Sequence, residues 1–297
     1  MKPLALALAL RPQQWVKNVF VLAPLVFARG EKGGWQEGDF SDLRRTILAF
    51  AAFCLASSAV YLVNDVADVE ADRNHPGKRS RPVASGAVGV PTAIAVALAC
   101  AAGALLIAGG PVAGVVAGYM ALNLAYSLKL KHLVLVDAFC IAGGFLLRVY
   151  GGGLAAGAQV SHWLFLCTLF LALFLALCKR RAETDLLGED RGGHRSILLE
   201  YNVPFLDQMV TVLAACAILT YTMYTVSDET ARKFGQGNLF LWTVPFVVFG
   251  LGRYLLLVQR REGGGSPTRI LLGGDGPFLV NALLWAATVA VAAFRHS

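Results

Sequence analysis

Charged residues are scarce in this chain of 297 residues, where they make up only 15% of the total. Soluble globular proteins carry about 25% charged and about 45–50% apolar residues. Here 57% of the residues are hydrophobic and the mean hydropathy is +0.61. These figures exclude a disordered chain and disfavour a water-soluble single domain.

The sequence also lacks a paired-cysteine framework. Its six cysteines are spread through apolar stretches with no C-x-x-C pair, which is typical of buried small hydrophobic residues. A cleavable signal peptide is not expected, because the apolar run Leu4–Leu10 is short. Arg11, Pro12 and Gln13 follow that run in place of a small-residue cleavage site.

Long apolar stretches make up most of the sequence. A membrane-spanning helix needs about 20 mostly apolar residues, and nine stretches qualify or nearly do. We therefore predict an all-α, polytopic membrane bundle of nine transmembrane helices that forms a single domain over residues 1–297. The spans are Val16–Ala28, Leu43–Val63, Pro91–Ala108, Val112–Leu128, Leu133–Tyr150, Trp163–Cys178, Phe205–Val226, Leu239–Val258 and Phe278–Phe294.

The net charge of +7 would suit nucleic acid, anionic lipid or an anionic substrate. Of the 26 Lys and Arg residues, 18 fall on one side of the predicted spans, seven on the other, and Arg148 lies inside a span. The positive-inside rule then places the N-terminus in the cytoplasm and the C-terminus outside. Nucleic acid is disfavoured, because the cations are divided among short loops and no binding motif is present.

The loop after the second span carries an acidic pattern. If the helix continues past the membrane, Asn64, Asp68 and Asp72 recur every four residues. Asp65, Asp68 and Asp72 recur at spacings of three and four residues, and either set lies on one helical face. Stacked carboxylates repel one another unless a cation neutralises them, and hard oxygen ligands suit Mg²⁺. The alternative is a solvated acidic helix end that nearby basic residues neutralise.

Basic and aromatic residues surround this pattern on the same side. Lys78, Arg79 and Arg81 follow it and could hold phosphate oxygens, although topology explains such residues equally well. Tyr126 and Lys131 lie at the end of the fourth span, where a tyrosine is commonly an interfacial anchor.

Ionisable residues also occur within the apolar runs. A carboxylate such as Asp137 is costly inside a membrane and suggests function, whereas Arg148 could equally be paired within the bundle. Lys17 lies at the membrane edge of the first span, and the sixth span ends in K-R-R-A-E, Lys179–Glu183. Together these positions predict a cytoplasmic cavity, formed by loops 64–90, 126–137 and 179–204, that opens towards lipid.

These motifs resemble a known family. N-D-x-x-D-x-x-x-D after the second span, with R-P-x-x-x-G downstream, is similar to the UbiA superfamily of intramembrane prenyltransferases. Further segments resemble its decaprenyl-phosphate phosphoribosyltransferase branch. They are Arg11–Asn18, His75–Gly86, Tyr126–His132, Asp137–Arg148, Lys179–Glu183 and Phe205–Met209.

One departure from the family pattern bears on the substrate. UbiA enzymes that move a prenyl group carry a second Asp-rich motif after the sixth span, where this chain has K-R-R-A-E with Glu183 as the sole near match. The resemblance therefore implies transfer of 5-phosphoribose from phosphoribosyl diphosphate (PRPP) to a polyprenyl phosphate, a step towards cell-wall arabinan. The motif of soluble phosphoribosyltransferases, a strand ending in paired acids and a Gly-rich loop, is absent.

The resemblance also implies roles for residues. Asn64, Asp68 and Asp72 would hold Mg²⁺, and Asp65, Asp68 and Asp72 would be catalytic. A homo-oligomer such as a trimer is compatible with the family, and the enzyme would sit in the inner cell membrane. Alternatives are a prenyltransferase acting on an aromatic acceptor, or a transporter, for which we find no internal repeat. The expected substrate-binding residues are Lys17, Asn64, Lys78, Arg79, Tyr126, Lys131, Asp137, Arg148, Lys179, Arg180 and Glu183.

Overall fold

A computed structural model describes residues 3–25, 39–74, 77–187, 200–228, 230–231, 239–260 and 274–294. This part of the chain forms helices and turns and contains no strand, which confirms the all-α class. The α-helices are α1 (Pro3–Ala9), α2 (Asp39–Ala67), α3 (Val69–Asn74), α4 (Val90–Ala108), α5 (Gly110–Leu128), α6 (Val136–Ala156), α7 (His162–Leu187), α8 (Val203–Val226), α9 (Val244–Gln259) and α10 (Gly276–Phe294).

Seven helices of the described residues are long and apolar enough to cross a membrane, so the chain is a multi-pass membrane protein. They correspond to the second to eighth predicted spans. The last predicted span, Phe278–Phe294, overlaps a shorter apolar helix, Gly276–Ala292. The full count of nine spans and the cytoplasmic N-terminus remain predictions.

The first predicted span differs most from expectation. Of its described residues, 16–21 belong to a 3₁₀ helix, Pro12–Val21, and only residues 23–25, at the edge of the described range, are α-helical. Arg11 adopts a left-handed conformation with φ of 52°, which ends α1, and Pro12 then begins the new helix. Residues 26–28 of this span lie outside the described residues, as do residues 188–199 of the predicted loop 179–204.

Two compact units divide the chain. The first comprises Met1–Leu25, Phe40–Leu128 and Leu147–Ala158, and the second comprises Val26–Asp39, Lys129–Leu146 and Gln159–Ser297. Helix α6 contributes its N-terminal half to the second unit and its C-terminal half to the first. That the two units belong to one domain stays a prediction.

Small residues bring helices of the first unit close together. Buried Ala52, Phe53 and Val116 pack with Val21 of the 3₁₀ helix in one apolar cluster. At Gly152 of α6, an added Cβ would lie 2.0 Å from the backbone oxygen of Val21. The 3₁₀ helix therefore contacts the backbone of α6 directly, at a distance that only glycine permits.

The core of the second unit lies among α7, α8 and α9. Phe174, Leu177, Leu206 and Tyr254 are buried in it. The rings of Phe174 and Tyr254 lie 5.7 Å apart, within the range of favourable aromatic contact.

An ion pair connects α9 to the start of α10 in the second unit. Arg253 of α9 donates from Nε and Nη2 to the two carboxylate oxygens of Asp275, at 3.2 and 2.8 Å. Asp275 also accepts from the backbone N–H of Phe278 and thereby caps α10. These hydrogen bonds from Arg253 hold the pKa of Asp275 below its ordinary value.

Candidate active site

The acidic motif keeps helical spacing beyond the apolar part of α2. The backbone N–H of Asp68 donates to the oxygen of Asn64 at 2.9 Å, and that of Asp72 donates to Asp68 at 2.8 Å. The chain thus continues from α2 into α3 with the hydrogen bonding of an α-helix. This confirms the predicted spacing, and we call Asn64, Asp65, Asp68 and Asp72 the acidic cluster.

Two arginines neutralise the buried members of the acidic cluster. Asp65 and Asp72 are 2% and 3% exposed. Arg11 donates to Oδ1 of Asp65, and Nη1 of Arg81 donates to Oδ2 of Asp72 at 2.6 Å and to Oδ1 of Asp65 at 3.4 Å. Buried carboxylates require such pairing, because an isolated charge would be strongly destabilising there.

The chain holds both arginines in specific backbone conformations. Arg11 is one of two described non-glycine residues with positive φ, and its guanidinium lies 4.9 Å from the ring centre of Tyr61. Arg81 belongs to a turn in which its N–H donates to the oxygen of Lys78 and its own oxygen accepts from Ser85. The strained conformation of Arg11 thus places a cation on Asp65.

The cluster also offers oxygen atoms to a cation. Oδ1 of Asn64 accepts from Ser127 at 2.6 Å, Asp68 is half-buried, and Oδ2 of Asp65 is buried without a hydrogen-bond partner. Carboxylate and amide oxygens fit the preferences of Mg²⁺. In the part of the chain that the structure describes, no three His, Cys, Asp or Glu residues are grouped so that they could hold an ion as they stand.

Lys17 and Arg148 lie within the first unit. Arg148 is 6% exposed, about 18 Å along α6 from its first residue. It donates from Nε to Asn18 at 2.7 Å and from Nη2 to the hydroxyl of Tyr119 at 2.9 Å. Lys17 is half-buried and precedes Asn18, the residue that accepts from Arg148. These internal hydrogen bonds favour the structural alternative for Arg148.

The other predicted substrate-binding residues of the first unit lie in two places, the turn that follows α3 and the end of α5. Lys78 and Tyr126 are half-buried and Arg79 is exposed. Ser127, next to Tyr126, contacts Asn64, so the end of α5 reaches the acidic cluster. A role in substrate binding for these residues stays a prediction.

In the second unit, four predicted residues form one connected ionic group. Asp137 is fully buried and accepts from Nε of Arg180 at 2.6 Å. Arg180, itself 1% exposed, also donates to Glu183 at 2.5 Å, and Nζ of Lys179 lies 3.7 Å from the same carboxylate. We call these residues, with Tyr201, the Asp137 cluster. Lys131 is half-buried in this unit.

Tyr201 completes the Asp137 cluster, and no pattern in the sequence indicated that it would contact Asp137. Its hydroxyl donates to Asp137 at 2.8 Å and accepts from the N–H of Leu135 at 2.8 Å. Burial raises the pKa of Tyr201, and the Asp137 carboxylate raises it further. The hydroxyl therefore keeps its proton near neutral pH and can donate to the carboxylate.

Sequence reasoning also missed how Arg11 and Arg81 are used. The sequence predicts Arg81 as a phosphate ligand or a topological cation, and Arg11 as a topological cation within a segment similar to the family. The ion pair between Arg11 and Asp65 joins residues 54 positions apart. Helical periodicity carries no signal for such a contact, and of the two arginines only Arg81 lies near the acidic motif in the sequence.

Comparison with known proteins agrees with the resemblance in the motifs. The UbiA prenyltransferase family matches residues 21–273. A decaprenyl-phosphate phosphoribosyltransferase of Corynebacterium glutamicum is 38% identical over 96% of this chain and 86% of its own length. One of Mycobacterium tuberculosis is also 38% identical, over 96% of this chain and 92% of its own.

Solved structures agree with the fold. The structure of a UbiA homolog from Archaeoglobus fulgidus, bound to GPP and Mg²⁺, superposes with a TM-score of 0.70. It covers 97% of this chain and 99% of its own, at 18% identity, so the likeness concerns the fold alone. Because the family matches most of the sequence and these relatives align along nearly all of it, the chain belongs to the UbiA prenyltransferase family.

Proposed function

We propose that this membrane enzyme transfers 5-phosphoribose from PRPP to a polyprenyl phosphate such as decaprenyl phosphate. The products are diphosphate and polyprenyl-phosphoryl-5-phosphoribose. The observation that carries the proposal is the 38% identity, over 96% of the chain, to relatives named decaprenyl-phosphate phosphoribosyltransferase. That coverage includes every residue of the acidic cluster and the Asp137 cluster.

The reaction needs stabilisation of negative charge more than it needs a base. A phosphate oxygen of the lipid attacks the anomeric carbon of PRPP, and the bond from that carbon to the diphosphate breaks. A phosphate monoester is mostly ionised near neutral pH, with a second pKa of about 6. No residue therefore has to remove a proton, and the cations that hold the departing diphosphate provide the main stabilisation.

In this proposal the acidic cluster holds the metal end of PRPP. Asn64, Asp68 and Asp72, with the unpaired oxygen of Asp65, would bind Mg²⁺, which would neutralise charge on the diphosphate. Lys17, Lys78, Arg79 and Tyr126 would donate to phosphate oxygens. Such charge-assisted hydrogen bonds are stronger than neutral ones. The hard-oxygen chemistry of the cluster supports this assignment.

The second unit supports a phosphate-binding role over a second metal site. The segment Lys179–Glu183 holds three cations and one carboxylate. Glu183 is engaged by Arg180 and Lys179. We propose that Lys131 and Lys179 bind phosphate, whereas buried Arg180 and Asp137 position the segment around Glu183.

We also propose that the enzyme lies in the inner cell membrane with its active site towards the cytoplasm, where PRPP is soluble. The excess of Lys and Arg on the side that carries the acidic cluster supports this orientation. The apolar helices would give the lipid substrate access from the bilayer.

The decisive assay uses purified protein in detergent with Mg²⁺, PRPP labelled in the ribose, and decaprenyl phosphate. We expect the label to move into the lipid fraction, and omission of either substrate or addition of a chelator to prevent it. Absence of this transfer, together with prenyl transfer from a prenyl diphosphate to an aromatic acid, would overturn the proposal.

A further inference from the structure

The position of Arg81 conflicts with a permanently open metal site. Its Nη1 lies 2.6 Å from Oδ2 of Asp72 and 3.4 Å from Oδ1 of Asp65, so one nitrogen bridges two carboxylates. The proposed function needs Asp72, with help from Asp65, to bind Mg²⁺. A guanidinium and a divalent cation compete for the same carboxylate oxygen, since both are drawn by its charge.

Asp65 and Asp72 are not equally dependent on Arg81. Asp65 retains Arg11 as an ion-pair partner when Arg81 is removed. The ion pair of Asp72 is with Arg81, at 4% exposure of its own side chain. Departure of Arg81 would therefore leave the negative charge of Asp72 less compensated than that of Asp65. A cation that binds at Asp72 would restore the positive charge that Arg81 had supplied.

The surroundings of Arg81 allow its side chain to move while its backbone stays in place. Its side chain is 31% exposed, against 2% and 4% for Asp65 and Asp72. Its backbone is held by hydrogen bonds to Lys78 and Ser85, and the following turn is tied by Arg73 to the oxygen of Ala84. Rotation about side-chain bonds is thus enough to redirect the guanidinium towards solvent.

We propose that Arg81 is an exchangeable counter-cation of the acidic cluster. Without ligand it bridges Asp65 and Asp72. When a divalent cation arrives with a diphosphate, Arg81 leaves Asp72 to the metal and donates to the diphosphate oxygens. A guanidinium suits both partners, because its planar fork matches carboxylate and phosphate geometry.

This inference rests on the proposed function and adds a rule for the order of binding. A metal ion alone meets buried carboxylates, Asp65 and Asp72, that already have arginine partners, so it binds weakly. A metal ion with diphosphate offers Arg81 a new partner and binds well. Metal and diphosphate should therefore bind with positive coupling, and Arg81 is the residue that links them.

The test measures Mn²⁺ binding to the purified protein in detergent by electron paramagnetic resonance, with and without inorganic diphosphate. Mn²⁺ accepts the same hard oxygen ligands as Mg²⁺. In Arg81→Gln we expect Mn²⁺ alone to bind roughly tenfold tighter than in the unaltered protein, since the competing charge is gone. The gain in Mn²⁺ affinity on adding diphosphate should fall by at least about tenfold.

Two further variants make the measurement specific. Arg45→Gln removes the same charge from an exposed pair with Asp42 and should change neither binding constant. Arg81→Lys keeps the charge but loses the guanidinium fork. It should tighten binding of Mn²⁺ alone by less than Arg81→Gln does, and it serves as the informative variant if Arg81→Gln does not fold.

The inference would be overturned if Arg81→Gln did not tighten Mn²⁺ binding in the absence of diphosphate. If Arg81 only stabilised the cluster, its loss would weaken Mn²⁺ binding or leave it unchanged when diphosphate is absent. Because the probe is inorganic diphosphate, the result is independent of the transfer assay. Transfer without the Mn²⁺ effect would reject the role of Arg81 alone, and the Mn²⁺ effect without transfer would reject the proposed reaction alone.

Discussion

At the scale of single residues, Asp68 and Asp72 lie on one continuous helical turn yet differ in exposure. We expect Asp68→Ala and Asp72→Ala each to lower kcat/KM for phosphoribosyl transfer by at least about 100-fold. The reason is that charge on the departing diphosphate would lose its main stabilisation. Glu70→Ala is the matched control, since Glu70 is exposed and paired with Arg73 on the same helix. Full activity in both aspartate variants would remove the metal-site assignment.

Tyr201 gives a second prediction at this scale, about stability. Tyr201→Phe deletes the hydroxyl that joins Asp137 to the N–H of Leu135, so the buried Asp137 carboxylate and the part-buried N–H each lose a hydrogen-bond partner. The free energy of unfolding should fall by about 1–3 kcal/mol, measured by thermal or denaturant unfolding in detergent. Tyr150→Phe, at a tyrosine that is 53% exposed, should unfold like the original protein. Equal stability of the two variants would argue against a structural role for the Asp137 cluster.

At the scale of elements, the contact between the 3₁₀ helix and α6 depends on Gly152. Gly152→Ala would place a methyl group 2.0 Å from the oxygen of Val21, which forces the 3₁₀ helix to move. Overpacking of this kind costs about 1–3 kcal/mol, and activity should fall as well because the 3₁₀ helix carries Lys17. Gly114→Ala in α5 is the control, because a Cβ there meets nothing within 4 Å.

That control sharpens the interpretation of the Gly152 variant. Alanine is favoured over glycine in a helix interior by roughly 1 kcal/mol, so Gly114→Ala should be neutral or slightly stabilising. Loss of stability in both variants would point to a general intolerance of substitution in these helices, and not to the close approach at Val21.

The elements also show what could be predicted and why. Periodicity is a local property, so the helical spacing of Asn64, Asp68 and Asp72 was readable, as were the apolar lengths of seven helices. The 3₁₀ helix was not, because it depends on the conformation of Arg11, which ends α1, and on the space at Gly152 that lets Val21 approach α6.

Contacts between distant positions limited the prediction of the site. The sequence marks Asp137 as a candidate functional residue because a carboxylate is costly in an apolar run, and that role stays a prediction. Its partners Arg180 and Tyr201, which follow it by 43 and 64 positions, depend on how α6, α7 and the start of α8 pack. Burial of Arg180 could not be inferred from K-R-R-A-E, because this sequence is equally typical of an exposed, positively charged helix end.

At the scale of the whole molecule, the charge asymmetry predicts the orientation in the membrane. With nine spans, the N-terminus would lie in the cytoplasm and the C-terminus outside. A phosphatase fused to the C-terminus should therefore be active on whole cells, and a fluorescent protein fused there should stay dark. A fluorescent C-terminal fusion would show an even number of spans or the reverse orientation.

The pairing of Arg253 with Asp275 has a consequence for the integrity of the protein after cleavage. The pair and the cap on Phe278 connect α9 to the start of α10 through side chains, on either side of residues 261–273. A protease that cuts between these helices would sever the chain but not this attachment. The nicked enzyme should migrate as two fragments in a denaturing gel, yet elute as one species in mild detergent.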